Sequence, residues 1–118
     1  MKPNIENAPY KTWSLYIAVV LYESSSDAPD DKPLYEECFL VVRAKSDEEA
    51  RERAMQLVSA PHSYKNQYGA TITWSFKEIE RVQSVLSDEL ADGKELYARY
   101  FLDYGAYHAT FLTPFPED

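Results

Sequence analysis

The fold is decided by the stretch WSLYIAVVLYE, residues 13–23. Successive side chains of a β-strand point to opposite faces, so the stretch divides into two sets. Both sets are largely apolar: Trp13, Leu15, Ile17, Val19 and Leu21 on one face, and Ser14, Tyr16, Ala18, Val20 and Tyr22 on the other. A strand that is apolar on both faces is typically covered on both, so the pattern predicts a central strand.

A second strand follows after a polar loop. Residues 24–33 contain two prolines and three aspartates, which disfavours both helix and strand. The next segment, Leu34 to Ala44, has an apolar β-rich core at residues 38–42. Two strands joined by such a loop predict a hairpin with a long tip.

A helix is indicated immediately after the second strand. Ser46 and Glu49 form a capping box, in which each side chain bonds the other residue's backbone amide. Pro61 predicts that the helix ends near Ala60. One helical face is apolar and consists of Ala50, Ala54, Leu57 and Val58.

Two more strands are expected in the second half of the chain. Residues 70–79 alternate between apolar and polar side chains, and beyond them either a bulge intervenes or the strand ends near Arg81. After the Asp92-Gly93 turn signal, residues 95–102 alternate again and predict the fourth strand.

These elements predict an α+β fold with the order β-β-α-β-β. We expect a four-stranded antiparallel sheet with one helix packed on one face. Residues 1–10 read as a flexible N-terminal arm and residues 11–102 as a single domain. Residues 103–118 read as an aromatic tail that packs on the sheet or on a partner subunit.

Several segments resemble an uncharacterised bacterial family, domain of unknown function 4288. The likeness covers about residues 13–101. Its most specific part is Tyr64-Lys65-Asn66-Gln67-Tyr68-Gly69, and it continues in the segments 13–23, 35–37, 74–76 and 93–99. The resemblance implies a fold but carries no assigned activity.

Composition limits the classes of partner. The chain has 118 residues, a formal net charge of −8 and a pI near 4.7. This charge disfavours binding to nucleic acids and anionic membranes and is compatible with a basic protein partner. Cys38 is the only cysteine, so no internal disulfide forms, and the N-terminus has no secretory signal. A cytoplasmic protein is expected.

No catalytic or metal-binding signature is visible in the sequence, so we expect neither an enzyme nor a cofactor. Three aspartates in the 24–33 loop lack the glycine and the closing glutamate of a calcium loop. His62 and His108 are distant in sequence from each other and from Cys38. No clustered zinc ligands are present, and a Cys–His nucleophile pair would require an accident of folding.

The loop at residues 64–69 has two interpretations. Its lysine, its asparagine amide and its two phenols could line a small polar pocket. Alternatively, Asn66 caps the backbone of a turn and Gly69 supplies a positive φ, an interpretation that we favour because turns use these residue types. Separately, Glu36 and Glu37 point to opposite faces of one strand, so at most one of them pairs with Arg99 or Lys65.

Tyrosine is abundant, with ten residues, and few lysines accompany it, which is typical of protein interfaces. We therefore expect a non-catalytic protein-binding domain, most concretely a small acidic inhibitor of the immunity or anti-defence type that occludes a basic partner. The alternative is a small-molecule-binding or sensing module that uses the 64–69 loop. A homodimer through a sheet edge or the aromatic tail is also possible. The expected contact residues are Tyr35, Glu36, Tyr64, Lys65, Asn66, Tyr68 and Arg99.

Overall fold

A computed structural model describes residues 13–85 and 90–112 of the protein. The expected N-terminal arm at residues 1–10 lies outside the described residues. The same holds for residues 113–118 of the aromatic tail and for residues 86–89.

The described part contains four strands and one long helix, followed by a short helical segment. The elements are β1 (Ser14–Ser26), β2 (Tyr35–Ala44), α1 (Asp47–Leu57), β3 (His62–Lys65), β4 (Thr71–Ser84), α2 (Tyr104–Tyr107) and a π-helical turn (His108–Leu112). The strands form one sheet in the order β2-β1-β4-β3, and all neighbouring pairs are antiparallel. The prediction of an α+β fold with four antiparallel strands is confirmed.

β1 lies inside the sheet, between β2 and β4, as its two apolar faces predicted. Residues 15–20 of this strand are all buried. The pairing of β1 with β4 shifts in register twice, between Val19 and Val20 and again between Leu21 and Tyr22. These irregularities explain why the apolar period breaks after Ile79 although β4 continues to Ser84. The bulge alternative was correct.

The assignment of the fourth strand was wrong. Residues 95–102 form no strand, and the sheet is completed instead by β3, which pairs with the start of β4. Side-chain alternation reports which face each residue points to, whereas a strand also needs a partner for its backbone. In residues 95–102, the alternation instead directs two side chains toward the sheet. Tyr97 packs on the sheet, and Arg99 forms ion pairs with Glu37 and Glu80.

One face of the sheet packs against α1. Ala50 and Ala54, both with no exposed surface, lie in a buried cluster with side chains of β1 and β2, namely Tyr16, Ala18, Val20, Tyr22, Val42 and Ala44. The small alanine side chains allow the helix to approach the sheet closely. We call this the helix face of the sheet.

The opposite face carries a smaller core, built on the other set of β1 side chains. Leu15, Ile17 and Val19 are buried together with Val85, and the Tyr97 ring packs against them. Tyr97 also lies 4.9 Å from the Phe39 ring, measured between centroids. We call this the second face of the sheet.

The start of α1 is fixed as the capping box predicted. The Ser46 hydroxyl accepts a bond from the Glu49 amide at 3.1 Å, and the Glu49 carboxylate accepts one from the Lys45 amide at 2.5 Å. The reciprocal bond therefore reaches Lys45, one residue before the cap. Asp47, Glu48 and Glu49 occupy the first turn, where the helix dipole favours negative charge.

Candidate functional site

A groove opens on the helix face, beyond the C-terminal end of α1. Its volume is about 510 Å³. It is lined by Tyr22, Leu34, Tyr35, Glu36, Ser59, Ala60, His62 and Trp74. All four strands or the segments next to them therefore contribute to it, together with the chain that leaves the helix.

The groove exists because the helix is shorter than the sheet. Eleven helical residues span about 16 Å, whereas the thirteen residues of β1 extend over roughly 43 Å. The helix covers the end of the sheet around Tyr16 and Ala18, and the groove begins beyond it, where Tyr22 belongs both to the buried cluster and to the groove wall. At the end of the groove next to the helix, the Tyr22 hydroxyl accepts a hydrogen bond from the Ser59 amide at 3.0 Å.

Strand register gives the groove an acidic and aromatic character. Glu36 of β2 pairs with Tyr22 of β1 and therefore lies on the helix face. Trp74 of β4 pairs with Ser24 of β1 on one side and with His62 of β3 on the other. The Glu36 carboxylate makes no ion pair within residues 13–85 and 90–112. A carboxylate beside an aromatic surface is suited to a cationic group, because both the charge and the ring face attract it.

The loop at residues 66–69 forms a tight turn between β3 and β4. The Asn66 side-chain oxygen accepts bonds from the Tyr68 amide at 2.9 Å and the Ala70 amide at 3.0 Å. Gly69 has a φ of 85°, a conformation that favours glycine. Asn66 thus caps the backbone as the turn interpretation predicted, while Tyr64 and Tyr68 are 48% and 69% exposed at the surface.

Arg99 lies on the second face and joins two strands. Its guanidinium forms ion pairs with Glu37 of β2 and, at 3.2 Å, with Glu80 of β4. Glu37, and not Glu36, is the partner, so only one of the two adjacent glutamates pairs with Arg99, as their opposite faces predicted. Glu80 has no partner in the β1–β4 register, since it is the extra residue of a bulge between Ile79 and Arg81.

The charged cluster formed by Arg99, Glu37 and Glu80 contains two negative charges and one positive charge. Burial raises the pKa of Glu80, a hydrogen bond with Glu37 and the repulsion of its charge raise it further, and Arg99 lowers it. Two carboxylates share one guanidinium here, so the cluster is an ion-pair network that fastens residues 97–99 to the sheet.

The structure offers no activated nucleophile at Cys38. The residue is partly buried against the helix-face core, and burial, followed by the charge of Glu36, raises the pKa of its thiol. A thiol with a raised pKa is protonated at neutral pH and is a weak nucleophile. Among the described residues, no group of three or more His, Cys, Asp or Glu side chains could hold a metal ion.

Comparison with protein families gives one match. The family described as domain of unknown function (DUF4288) matches residues 15–98, which is most of the chain. The chain belongs to the DUF4288 family. Comparisons with curated proteins and with solved structures found no match. No helix in the described part of this DUF4288 domain is long and apolar enough to cross a membrane.

The seven expected contact residues of the DUF4288 domain lie in three places. Tyr35 and Glu36 border the groove, and Arg99 lies in the charged cluster on the second face. The other four, Tyr64, Lys65, Asn66 and Tyr68, lie in or beside the β3–β4 turn. The groove and the turn are linked by β3, because His62 lines the groove and Tyr64, two residues further, shares its face.

Sequence reasoning missed the residues that complete the groove and the cluster. His62 and Trp74 meet because β3, a strand that the sequence did not indicate, pairs with β4. Glu80 reaches Arg99 because a bulge changes which face it points to. The only sequence signal for the bulge was the broken apolar period after Ile79, and it does not say which residue is displaced.

Proposed function

We propose that this protein is a non-catalytic protein-binding domain, an acidic inhibitor of the immunity or anti-defence type that occludes a basic partner. The contact surface consists of the groove and the adjacent β3–β4 turn. It contains Tyr35, Glu36, Tyr64, Lys65 and Tyr68, and Asn66 serves it by holding the turn. Arg99 supports the surface from the other side of the sheet, where its charge is neutralised by carboxylates.

The observation that carries the proposal is the Glu36 carboxylate in an aromatic groove of a chain with net charge −8. A Lys or Arg side chain of the partner would enter the groove, meet Glu36 and lie against Trp74. The remaining acidic surface would speed the encounter through long-range attraction. The exposed Tyr64 and Tyr68 would supply rigid contact area around this anchor.

The first experiment is affinity capture from native lysate, followed by kinetics with the purified partner. We expect the association rate constant to fall about tenfold or more between 50 and 500 mM NaCl, because salt screens the steering field. An association rate that does not change with salt would contradict charge steering.

A matched pair of variants tests the groove itself. Glu36→Gln and Glu48→Gln remove the same charge, but only Glu36 lines the groove, since Glu48 lies in the first turn of α1. Glu36→Gln should raise the dissociation constant at least tenfold, whereas Glu48→Gln should change it less than twofold. Equal effects of the two variants would show that the groove is not the contact.

A second candidate function is small-molecule binding, favoured by the size of the groove. A volume of about 510 Å³ lies within the usual range of ligand pockets. The bound molecule would be a cation with an apolar body, held by Glu36 and Trp74 rather than by the self-bonded 66–69 turn. In a screen of cationic metabolites, a molecule that binds the groove should raise the melting temperature of the protein, and Glu36→Gln should abolish that rise.

A further inference from the structure

The C-terminal arm, residues 100–112, carries large apolar side chains that its own domain leaves uncovered. Tyr100 is 95% exposed and Leu102 is fully exposed. Tyr104, Phe111 and Leu112 are each more than half exposed. A soluble protein rarely presents so many large apolar side chains in one short segment unless they meet a partner.

The arm is ordered by its own rings and not by a core. The Phe101 and Tyr107 rings stack with centroids 4.5 Å apart and an interplanar angle of 7°. Tyr107 also contacts Phe111 at 5.0 Å. No residue of α2 or of the π-helical turn is buried, so these contacts shape a preformed aromatic surface without covering it.

The same chain presents an apolar strip on the second face of its sheet. The strip consists of Phe39 and Val41 of β2, which are 52% and 57% exposed. In the strand register Phe39 pairs with Val19 and Val41 with Ile17, so the strip continues the buried core of this face to its edge. Tyr97 covers one side of Phe39, and the outer side remains open.

β2 is an edge strand, which adds a backbone component to this strip. It is ten residues long and contains no proline, and among the strands of residues 13–85 and 90–112 it pairs with β1 alone. Long unprotected edges attract further chains. The arm and the strip are both apolar and exposed, and each copy of the chain carries both of them. Each copy can therefore cover the strip of the other with its arm, as a two-fold symmetric interface requires.

We infer that two copies of this protein associate, and that the C-terminal arm of each covers the Phe39–Val41 strip of the other. Within residues 90–112, Arg99 is the last residue that forms an ion pair with the sheet, through Glu37 and Glu80, and the exposed run begins at Tyr100. The arm therefore leaves its domain at a fixed point and crosses to the second copy from there.

The area available is sufficient for a specific interface. A fully covered aromatic side chain removes about 150–250 Å² from water, so covering the exposed side chains of one arm removes on the order of 600 Å². The two half-exposed side chains of the partner's strip lose on the order of 200 Å² more, and the exchange occurs twice by symmetry. The total exceeds the roughly 1,000 Å² that marks a specific association.

The test is sedimentation analysis of the full chain with matched variants. We expect the wild-type protein to sediment as a dimer at micromolar concentration. Leu102→Ser should raise the dimer dissociation constant at least tenfold, and its fold should be unchanged because Leu102 is fully exposed. Met55→Gln, which alters a half-exposed apolar side chain on α1, should leave dimerisation unchanged.

Mixing two defective variants tests the reciprocal arrangement. Val41→Lys places a charge in the strip and also reduces the net negative charge, so a loss of dimer cannot be attributed to repulsion between acidic copies. A mixture of Val41→Lys and Leu102→Ser should form heterodimers more tightly than either variant forms homodimers. In the heterodimer, the intact arm of Val41→Lys meets the intact strip of Leu102→Ser, so one of the two contacts is complete. In each homodimer, both contacts contain a substituted residue.

Three results would overturn the inference. The first is a wild-type protein that stays monomeric up to millimolar concentration. The second is a Leu102→Ser variant that dimerises as well as Met55→Gln. The third is a mixture that shows no preference for the heterodimer. None of these results bears on the groove, so failure here and failure of the proposed inhibitor function can be distinguished.

Discussion

At the scale of single residues, Arg99 fixes where the extended segment 95–102 meets the sheet. Its guanidinium lies between two carboxylates from strands that are not neighbours, Glu37 of β2 and Glu80 of β4. All three side chains are about three-quarters buried, so their interactions are screened less than those of surface pairs. Two negative charges facing one positive charge leave the second carboxylate imperfectly compensated.

We predict that Glu80→Gln changes how stability depends on pH. The pKa of Glu80 is raised in the folded state, so the folded wild-type protein holds this proton more tightly than the unfolded chain does. As pH falls toward the raised pKa, wild-type stability should therefore rise relative to Glu80→Gln, until Glu80 is protonated in both states. Urea denaturation of both proteins between pH 4 and 7.5 measures this difference.

The matched control is Glu78→Gln, which removes the same charge from a neighbouring exposed position of β4. The pH dependence that Glu80→Gln shows beyond that of Glu78→Gln is the part that we assign to the position of Glu80 in the charged cluster. At neutral pH, Glu80→Gln should change stability by no more than about 1 kcal/mol, because Arg99 keeps its bond to Glu37. A wild-type advantage that grows as pH rises would have the wrong sign and refute the assignment.

The sequence allowed half of this cluster to be predicted. Strand parity places Glu36 and Glu37 on opposite faces, and the structure confirms that one of them alone pairs with Arg99. Glu80 could not be placed in this way. A bulge inserts one residue, which reverses the parity of everything after it, and its position depends on pairing between distant strands.

At the scale of elements, the contact between α1 and the sheet depends on two alanines. Ala50 and Ala54 are completely buried against side chains of β1 and β2. We predict that Ala54→Leu destabilises the protein by about 1–3 kcal/mol, because three extra carbon atoms must fit where helix and sheet already touch. The midpoint of urea denaturation, followed by circular dichroism, measures the loss.

Arg53→Leu provides the control for this substitution. Arg53 is the preceding residue on the same helix and is exposed, and leucine has a good helix propensity at both positions. Arg53→Leu should therefore change stability by less than about 0.5 kcal/mol. Equal stabilities of Ala54→Leu and Arg53→Leu would show that the helix does not pack closely on the sheet.

Elements with strong local signals were predictable, and those defined by long-range pairing were not. β1, β2 and α1 were predicted from apolar patterns and a capping box, and the structure has them close to the expected bounds. β3 has only four residues, all exposed, and exists because the turn at Asn66 and Gly69 brings it beside β4. Residues 95–102 alternate like a strand but use their inward side chains to cover a finished sheet.

At the scale of the whole molecule, the two proposed associations make opposite demands on the charge of −8. Contact with a basic partner gains from this charge, because the fields of the two proteins attract each other. Contact between two copies joins equal negative charges and must overcome their repulsion through apolar area. The groove on the helix face and the strip on the second face are thus expected to respond to salt in opposite directions.

We predict that raising NaCl from 50 to 500 mM tightens the dimer several-fold while it slows association with the basic partner. Salt shortens the distance over which charges act, to about 10 Å at 0.1 M and less at higher concentration. Sedimentation equilibrium gives the dimer dissociation constant at each salt concentration.

A charge-reduced double variant, Asp30→Asn with Glu48→Gln, changes two exposed residues outside the groove and the strip. It should dimerise more tightly than wild type at 50 mM NaCl and show a weaker dependence on salt. A dimer that dissociates as salt is added would instead be held by ion pairs, and the apolar arm could not be its main contact.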